Sequence, residues 1–135
     1  MNRTPINGRC LCGTVQFEIE GPLTDCSYCL CTECRQLTGS ALSAYGTIEH
    51  SQLHWIQGED KLGAYRHGKA TRHFCPTCSS CLLSTHDAEP TALFIALGCL
   101  EGAPDITIEY CQFAESQADW LKLDRTIRRF SHWPQ

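Results

Sequence analysis

The chain has 135 residues, with 11 Lys+Arg against 15 Asp+Glu for a formal charge of −4, and is 42% hydrophobic and 19% charged. That size and balance predict one globular domain and exclude a disordered chain. The mild acidity leaves no basic stripe to neutralise the phosphates of a nucleic acid.

The N-terminal run Met1 to Gly8 is polar, with no apolar segment behind it that would read as a secretory signal. After it, Thr14 to Glu20 alternates in the period of two of a half-buried strand, and Gly21-Pro22 stops it. Ala41 to Ile48 and Leu53 to Gln57 read as further strands. Ala64 to His67 and Thr71 to Phe74 flank Gly68-Lys69 as a hairpin, and Leu93 to Leu97 and Ile106 to Tyr110 add two more strands. Helical pattern is confined to Thr32 to Leu37 and Ser116 to Leu121. Short strands bounded by turn residues predict an all-β fold, mainly antiparallel sheet with little helix, as one domain over residues 1–135. Its core would span about residues 7–113 and its tail residues 114–135. The longest apolar run, Ala92 to Leu100, is far short of the roughly 20 residues of a membrane helix.

Cysteine is the unusual feature, with 11 residues against one methionine. A cytoplasmic chain kept reduced does not normally build disulfides, and an odd count resists complete pairing, so clustered thiols here predict metal. Cys10 and Cys12, and Cys75 and Cys78, are each close enough in sequence for both sulfurs to hold one ion. Two such knuckles would complete a four-sulfur site that adds folding free energy. A denser segment carries Cys26, Cys29, Cys31 and Cys34. Three of these, Cys29, Cys31 and Cys34, could converge on a second ion if a helical turn begins at Thr32. With only three protein ligands the site would be of the catalytic kind, whereas Cys26 as a fourth would close it.

The order C-x-C-G, C-x-C-x-x-C-R and F-C-x-x-C resembles the glutathione-dependent formaldehyde-activating enzyme family, which also includes centromere protein V. The matching residues include Gly8, Cys10, Cys12, Gly13, Cys29, Cys31, Cys34, Arg35, Gly39, Arg72, Phe74, Cys75 and Cys78. The resemblance covers about residues 7–97, and Trp120 fits a recurrent tail tryptophan. It implies a zinc-stapled fold like that of a small Rab-exchange-factor domain. It also implies two Zn²⁺ ions, a structural one at Cys10, Cys12, Cys75 and Cys78 and a catalytic one at Cys29, Cys31 and Cys34. The implied activity is that of a carbon–sulfur lyase joining glutathione and formaldehyde as S-hydroxymethylglutathione. The chain departs from the family at Leu30, often His, at Ser79, usually Gly, and in the extra thiols Cys26 and Cys81.

Zinc held by three thiolates carries a net charge of −1, which suits holding a substrate thiol better than activating water. Glutathione or another small thiol, with an aldehyde, is therefore the expected partner. Arg35, next to Cys34, is the expected contact for its carboxylates, while Arg66, Lys69 and Arg72 read as solvated surface charges. Tyr45 and Tyr65 could wall a pocket or simply pack, and Cys99 and Cys111 read as small buried hydrophobes. Two other functions fit the same cysteines. One is a non-catalytic zinc module that binds a protein partner; the other is a thiol redox sensor in which the second cluster oxidises when zinc leaves.

Overall fold

Alternation of apolar and polar side chains arranges the chain as strands in two sheets, described by a computed structural model over residues 4–134. Residues 1–3, part of the polar leader, and residue 135 lie outside the described residues. The smaller sheet has the order β1-β2-β5, from Ile6–Arg9 (β1), Gln16–Ile19 (β2) and Leu53–Gln57 (β5). The larger is built from Thr24–Cys29 (β3), Ser43–Glu49 (β4), Gly63–His67 (β6), Ala70–Phe74 (β7), Cys81–His86 (β8), Ala92–Ala96 (β9), Tyr110–Gln112 (β10) and Arg128–Arg129 (β11). Its eight strands run in the order β11-β10-β3-β4-β9-β8-β7-β6. A single α-helix among the described residues, α1 (Thr32–Thr38), follows β3. The fold is mainly β, as the strand-rich pattern predicts.

Period-two alternation assigns the two faces of the larger sheet opposite tasks. Gly46, Ile48, Leu83, Leu93 and Ile95 turn inward, and the large side chains among them meet Val15, Phe17 and Ile19 of the smaller sheet in one buried cluster. Each fully buried Phe or Ile here contributes about 1.5–3 kcal/mol relative to exposure. Gly46 is required by close approach, since a Cβ there would stand 2.7 Å from a Leu23 methyl and 3.0 Å from the Cys26 sulfur. The other face carries Ser43, Tyr45 and Thr47 of β4. In register with Thr47 lie Phe94, Ser84 and Arg72 of β9, β8 and β7. The short helix α1 lies on this side, its Glu33 carboxylate 3.1 Å from His67 Nε2 at the end of β6.

Two expected elements differ. Ile106 to Tyr110 alternates like a strand, yet only Tyr110–Gln112 pairs, in parallel with β3 and β11. Upstream of it a single backbone bond joins Glu109 to Cys26, so alternation without a partner strand leaves the segment irregular. Ser116 to Leu121 is not helical. A 3₁₀ turn, Ala114–Ser116, stands at its start, and Gln117 caps the Leu121 carbonyl through its side chain at 2.9 Å. So short a segment cannot offset the cost of helix nucleation by itself. Among the described residues no helix is long and apolar enough to cross a membrane.

Candidate metal centres

The first cluster forms where two tight turns meet. Cys10 ends the run from β1, and Gly13, at φ 82°, turns the chain so that the Cys10 sulfur accepts the Val15 N–H at 3.3 Å. The second turn follows β7: Ser79 N–H donates to the Cys75 carbonyl at 2.7 Å, and Cys75 N–H to the Ser80 carbonyl at 3.0 Å. Ser79 takes the left-handed conformation, φ 68°, that glycine would adopt without a Cβ penalty. Ser80 Oγ fastens the turns together by accepting the Leu11 N–H at 3.0 Å while meeting the Cys78 sulfur at 3.2 Å.

The sulfurs of Cys10, Cys12, Cys75 and Cys78 consequently lie within 4.8 Å of one another. Cys10 and Cys12 are 3.7 Å apart and Cys12 and Cys75 3.8 Å, far beyond the roughly 2.05 Å of a disulfide. A tetrahedral ZnS₄ unit with Zn–S near 2.3 Å has S···S edges of about 3.8 Å, so this donor set fits zinc in chemistry and spacing. Local dipoles favour thiolate at two of the four. Hydrogen bonds led by the Ser80 hydroxyl hold the Cys78 thiol down to about 5, and those of Thr14 lower Cys12.

The second cluster is made by the end of β3 and the start of α1. Cys31 is the helix N-cap, and its sulfur accepts the Cys34 N–H at 3.3 Å, which turns the Cys34 side chain back toward Cys29. The sulfurs of Cys29, Cys31 and Cys34 lie within 4.8 Å of one another. Among the described residues no fourth Cys, His, Asp or Glu joins them at that spacing. Three sulfurs so placed could also hold zinc. A hydrogen bond between Cys29 and Cys34 pulls them apart in acidity, with Cys34 favoured as the thiolate and Cys29 held as the thiol.

Cys26 stands apart from this set. Its sulfur lies 3.0 Å from where a Gly46 Cβ would be, beside Leu23 and Leu97 on the core-facing side. Leu30 is fully buried, and its N–H donates to the Gln112 carbonyl at 3.1 Å. Arg35 Nη1 donates to the Ser116 carbonyl at 2.8 Å, tying α1 to the tail. Cys111 is fully buried, Cys99 is partly so, and Cys81 is exposed at the start of β8.

Arg72 and Ser43 were not expected at this cluster. Ser43 pairs with Cys29 across β4 and β3, and its buried hydroxyl, which has no nitrogen or oxygen partner, faces the Cys34 sulfur and helps to lower that thiol. Arg72 does not point into solvent. It reaches over the sheet, donates from Nη1 to the Tyr45 hydroxyl at 3.1 Å, and sits 5.9 Å from that ring's centroid. Burial opposes its charge, but Tyr45 and Cys34 more than offset this. Burial also pushes the Tyr45 hydroxyl up, so it stays protonated at neutral pH. The sequence signal for both residues was their parity with Tyr45, which needs the strand register to become readable. Arg66 does lie outward, paired with Asp87.

A family model described as glutathione-dependent formaldehyde-activating enzyme matches residues 5–116. A crystal structure of a Rhodobacter sphaeroides protein, a structural genomics target, is similar with a TM-score of 0.61 and 27% identity, over 73% of this chain and 91% of that one. Comparison with curated proteins finds no match.

Proposed function

The chain belongs to the glutathione-dependent formaldehyde-activating enzyme family, and on that premise we propose that it is a zinc-dependent carbon–sulfur lyase acting on a thiol–aldehyde adduct. The preferred pair is glutathione with formaldehyde, in the reducing cytoplasm, on a single zinc-stapled domain. Cys10, Cys12, Cys75 and Cys78 would hold a structural Zn²⁺, and Cys29, Cys31 and Cys34 a catalytic one. Zinc at the second set would favour a substrate sulfur as its thiolate.

The remaining work falls to the chain. The α1 N-cap fixes Cys31 and Cys34 relative to each other, so the three sulfurs do not depend on a mobile loop for their spacing. Leu30 is buried and apolar, so no side chain at that position carries a proton. Arg35 is bound to the tail, and its contribution would be to hold α1 in place while its remaining guanidinium nitrogens face a thiol's carboxylates. The observation that carries the reading is a cluster of three sulfurs with Cys26 turned to the opposite side of the sheet. Four chain sulfurs would favour an inert staple instead.

The test counts zinc in fresh protein and follows thiol–formaldehyde exchange by NMR. Wild type and Cys26→Ala should each hold two zinc ions per chain and accelerate exchange. Cys31→Ala should hold one and fall to the uncatalysed rate. Loss of a zinc ion from Cys26→Ala, or equal exchange with wild type and Cys31→Ala, would overturn the reading.

A further inference from the structure

Among the described residues, the buried side-chain nitrogen and oxygen atoms that lack any hydrogen-bond partner are Ser43 Oγ and Arg72 Nε. Folded proteins pair nearly all such atoms, so each unpaired one asks for an explanation. These two do not fall at random. Strand register sets Arg72, Ser84, Phe94 and Thr47 side by side on one face, and Tyr45 and Ser43 lie on that face two and four residues from Thr47. Ser43 is paired with Cys29, and Arg72 donates to the hydroxyl of Tyr45, two residues along β4 from Ser43. Both unsatisfied atoms thus lie on the face of the sheet that carries α1 and the sulfurs of Cys29, Cys31 and Cys34. A planar guanidinium held by Tyr45, with its Nε shielded from water, is the donor best suited to an anionic oxygen.

We propose that Arg72, assisted by the Ser43 hydroxyl, receives the anionic oxygen of a ligand whose sulfur is held at Cys29, Cys31 and Cys34. The inference rests on the thiol-binding reading above and adds to it a catalytic residue and a preference among thiols. In the addition, a carbon–sulfur bond forms between the thiol sulfur and the carbonyl carbon. The carbonyl π pair moves onto oxygen, and the proton lost by the thiol ends on that oxygen. No oxidant or reductant is needed. Arg72 stabilises the oxygen while it is negative, which is the moment at which a preset donor has the greatest effect. Cleavage runs through the same charge in reverse.

Mercaptoacetate and ethanethiol separate the two claims, because they share a simple alkyl thiol and differ in an anionic oxygen close to the sulfur. Calorimetric titration of zinc-loaded wild type should find mercaptoacetate bound about tenfold more tightly, the ratio expected when one charge-assisted hydrogen bond is gained. Arg72→Gln should bind both thiols alike, with ethanethiol affinity and zinc content unchanged. Arg72→Lys, which keeps the charge but loses the planar fork, should retain part of the preference. It also serves if the glutamine variant fails to fold. A preference that survives in Arg72→Gln would mean that the carboxylate is held elsewhere, at the metal or by Arg35, and would overturn the inference. Equal binding of both thiols to wild type would overturn it with no variant at all. If neither thiol binds wild type, the thiol-binding reading itself fails, and the inference falls with it.

Discussion

The two cysteine clusters are built from the same element by opposite means. At Cys10, Cys12, Cys75 and Cys78 two turns far apart in sequence face each other, and Ser80 bonds across the gap to Leu11. At Cys29, Cys31 and Cys34 one strand end and one helix cap supply all three sulfurs from a six-residue stretch. The first joins distant parts of the chain, so its integrity and that of the fold are one quantity. The second is local, and its neighbours Ser43 and Arg72 have unspent hydrogen-bonding capacity. On the proposed reading, the first would be a staple and the second a reactive centre with donors in reserve.

The contrast breaks most sharply if either cluster behaves like the other. Structural zinc contributes on the order of 10–16 kcal/mol to small domains, while net stability is only about 5–15 kcal/mol. Cys75→Ala should therefore lose cooperative unfolding altogether, as read by near-UV circular dichroism and amide dispersion. Cys31→Ala should stay folded and lose only one metal ion. A folded Cys75→Ala would erase the distinction.

A finer measure of the first cluster is the strain it tolerates. Ser79 occupies the left-handed region at φ 68°, which costs a non-glycine residue about 1–2 kcal/mol. Glycine removes that cost but adds unfolded-state entropy, so Ser79→Gly should gain about 0.5–1 kcal/mol in denaturant unfolding of the zinc-loaded protein. A loss would mean that the serine side chain makes a contribution larger than its strain.

The smallest effect distinguishes the two arginines of the β6–β7 hairpin, one turned inward and one outward. The Arg66 hydrogen bond lowers the Asp87 carboxyl below its ordinary value. A depressed carboxyl adds stability above its unfolded pKa and loses it as pH falls through the folded value, so this contribution is present at neutral pH and vanishes in acid. Both groups are exposed and screened, so the gain in stability is minor. Arg66→Ala should return the Asp87 titration, followed by NMR, to the normal carboxylate range without disturbing zinc content. A change in metal content would place Arg66 with Arg72.

Much of the fold was legible because its strands alternate cleanly. Leu53–Gln57 needs no adjustment, and the hairpin around Gly68-Lys69 shifts by one residue at each strand's far or near end. β3 was hidden because thiols, Ser and Asp stand where a strand pattern shows apolar residues, so Thr24–Cys29 reads as chemistry before it reads as structure, and β8 because Leu82 and Leu83 are adjacent rather than alternating. Short spacing, which local turns preserve, made the Cys10–Cys12 and Cys75–Cys78 knuckles and the Cys26 to Cys34 segment legible, while the division into a set of four and a set of three was what the family resemblance implied and what the structure brings together. Cys26 could not be assigned to a side from spacing, because an irregular pairing between Thr24 and Ser27 intervenes. Arg72 was misread for a similar reason. A charge on a hairpin looks solvated until pairing with Ser84 shows which way its side of the sheet points.

The family match stops at residue 116, yet the larger sheet is completed by Arg128–Arg129, which pairs with Tyr110 and Cys111. A chain trimmed at that limit would keep every clustered cysteine and lose the strip that shields Tyr110–Gln112 from the outside. The rim left behind would present unpaired backbone donors and acceptors one strand away from Cys29, an invitation to join a second copy edge to edge. Shortening the protein to its recognisable part would then trade solubility for economy, and self-association would set in right beside the three clustered sulfurs.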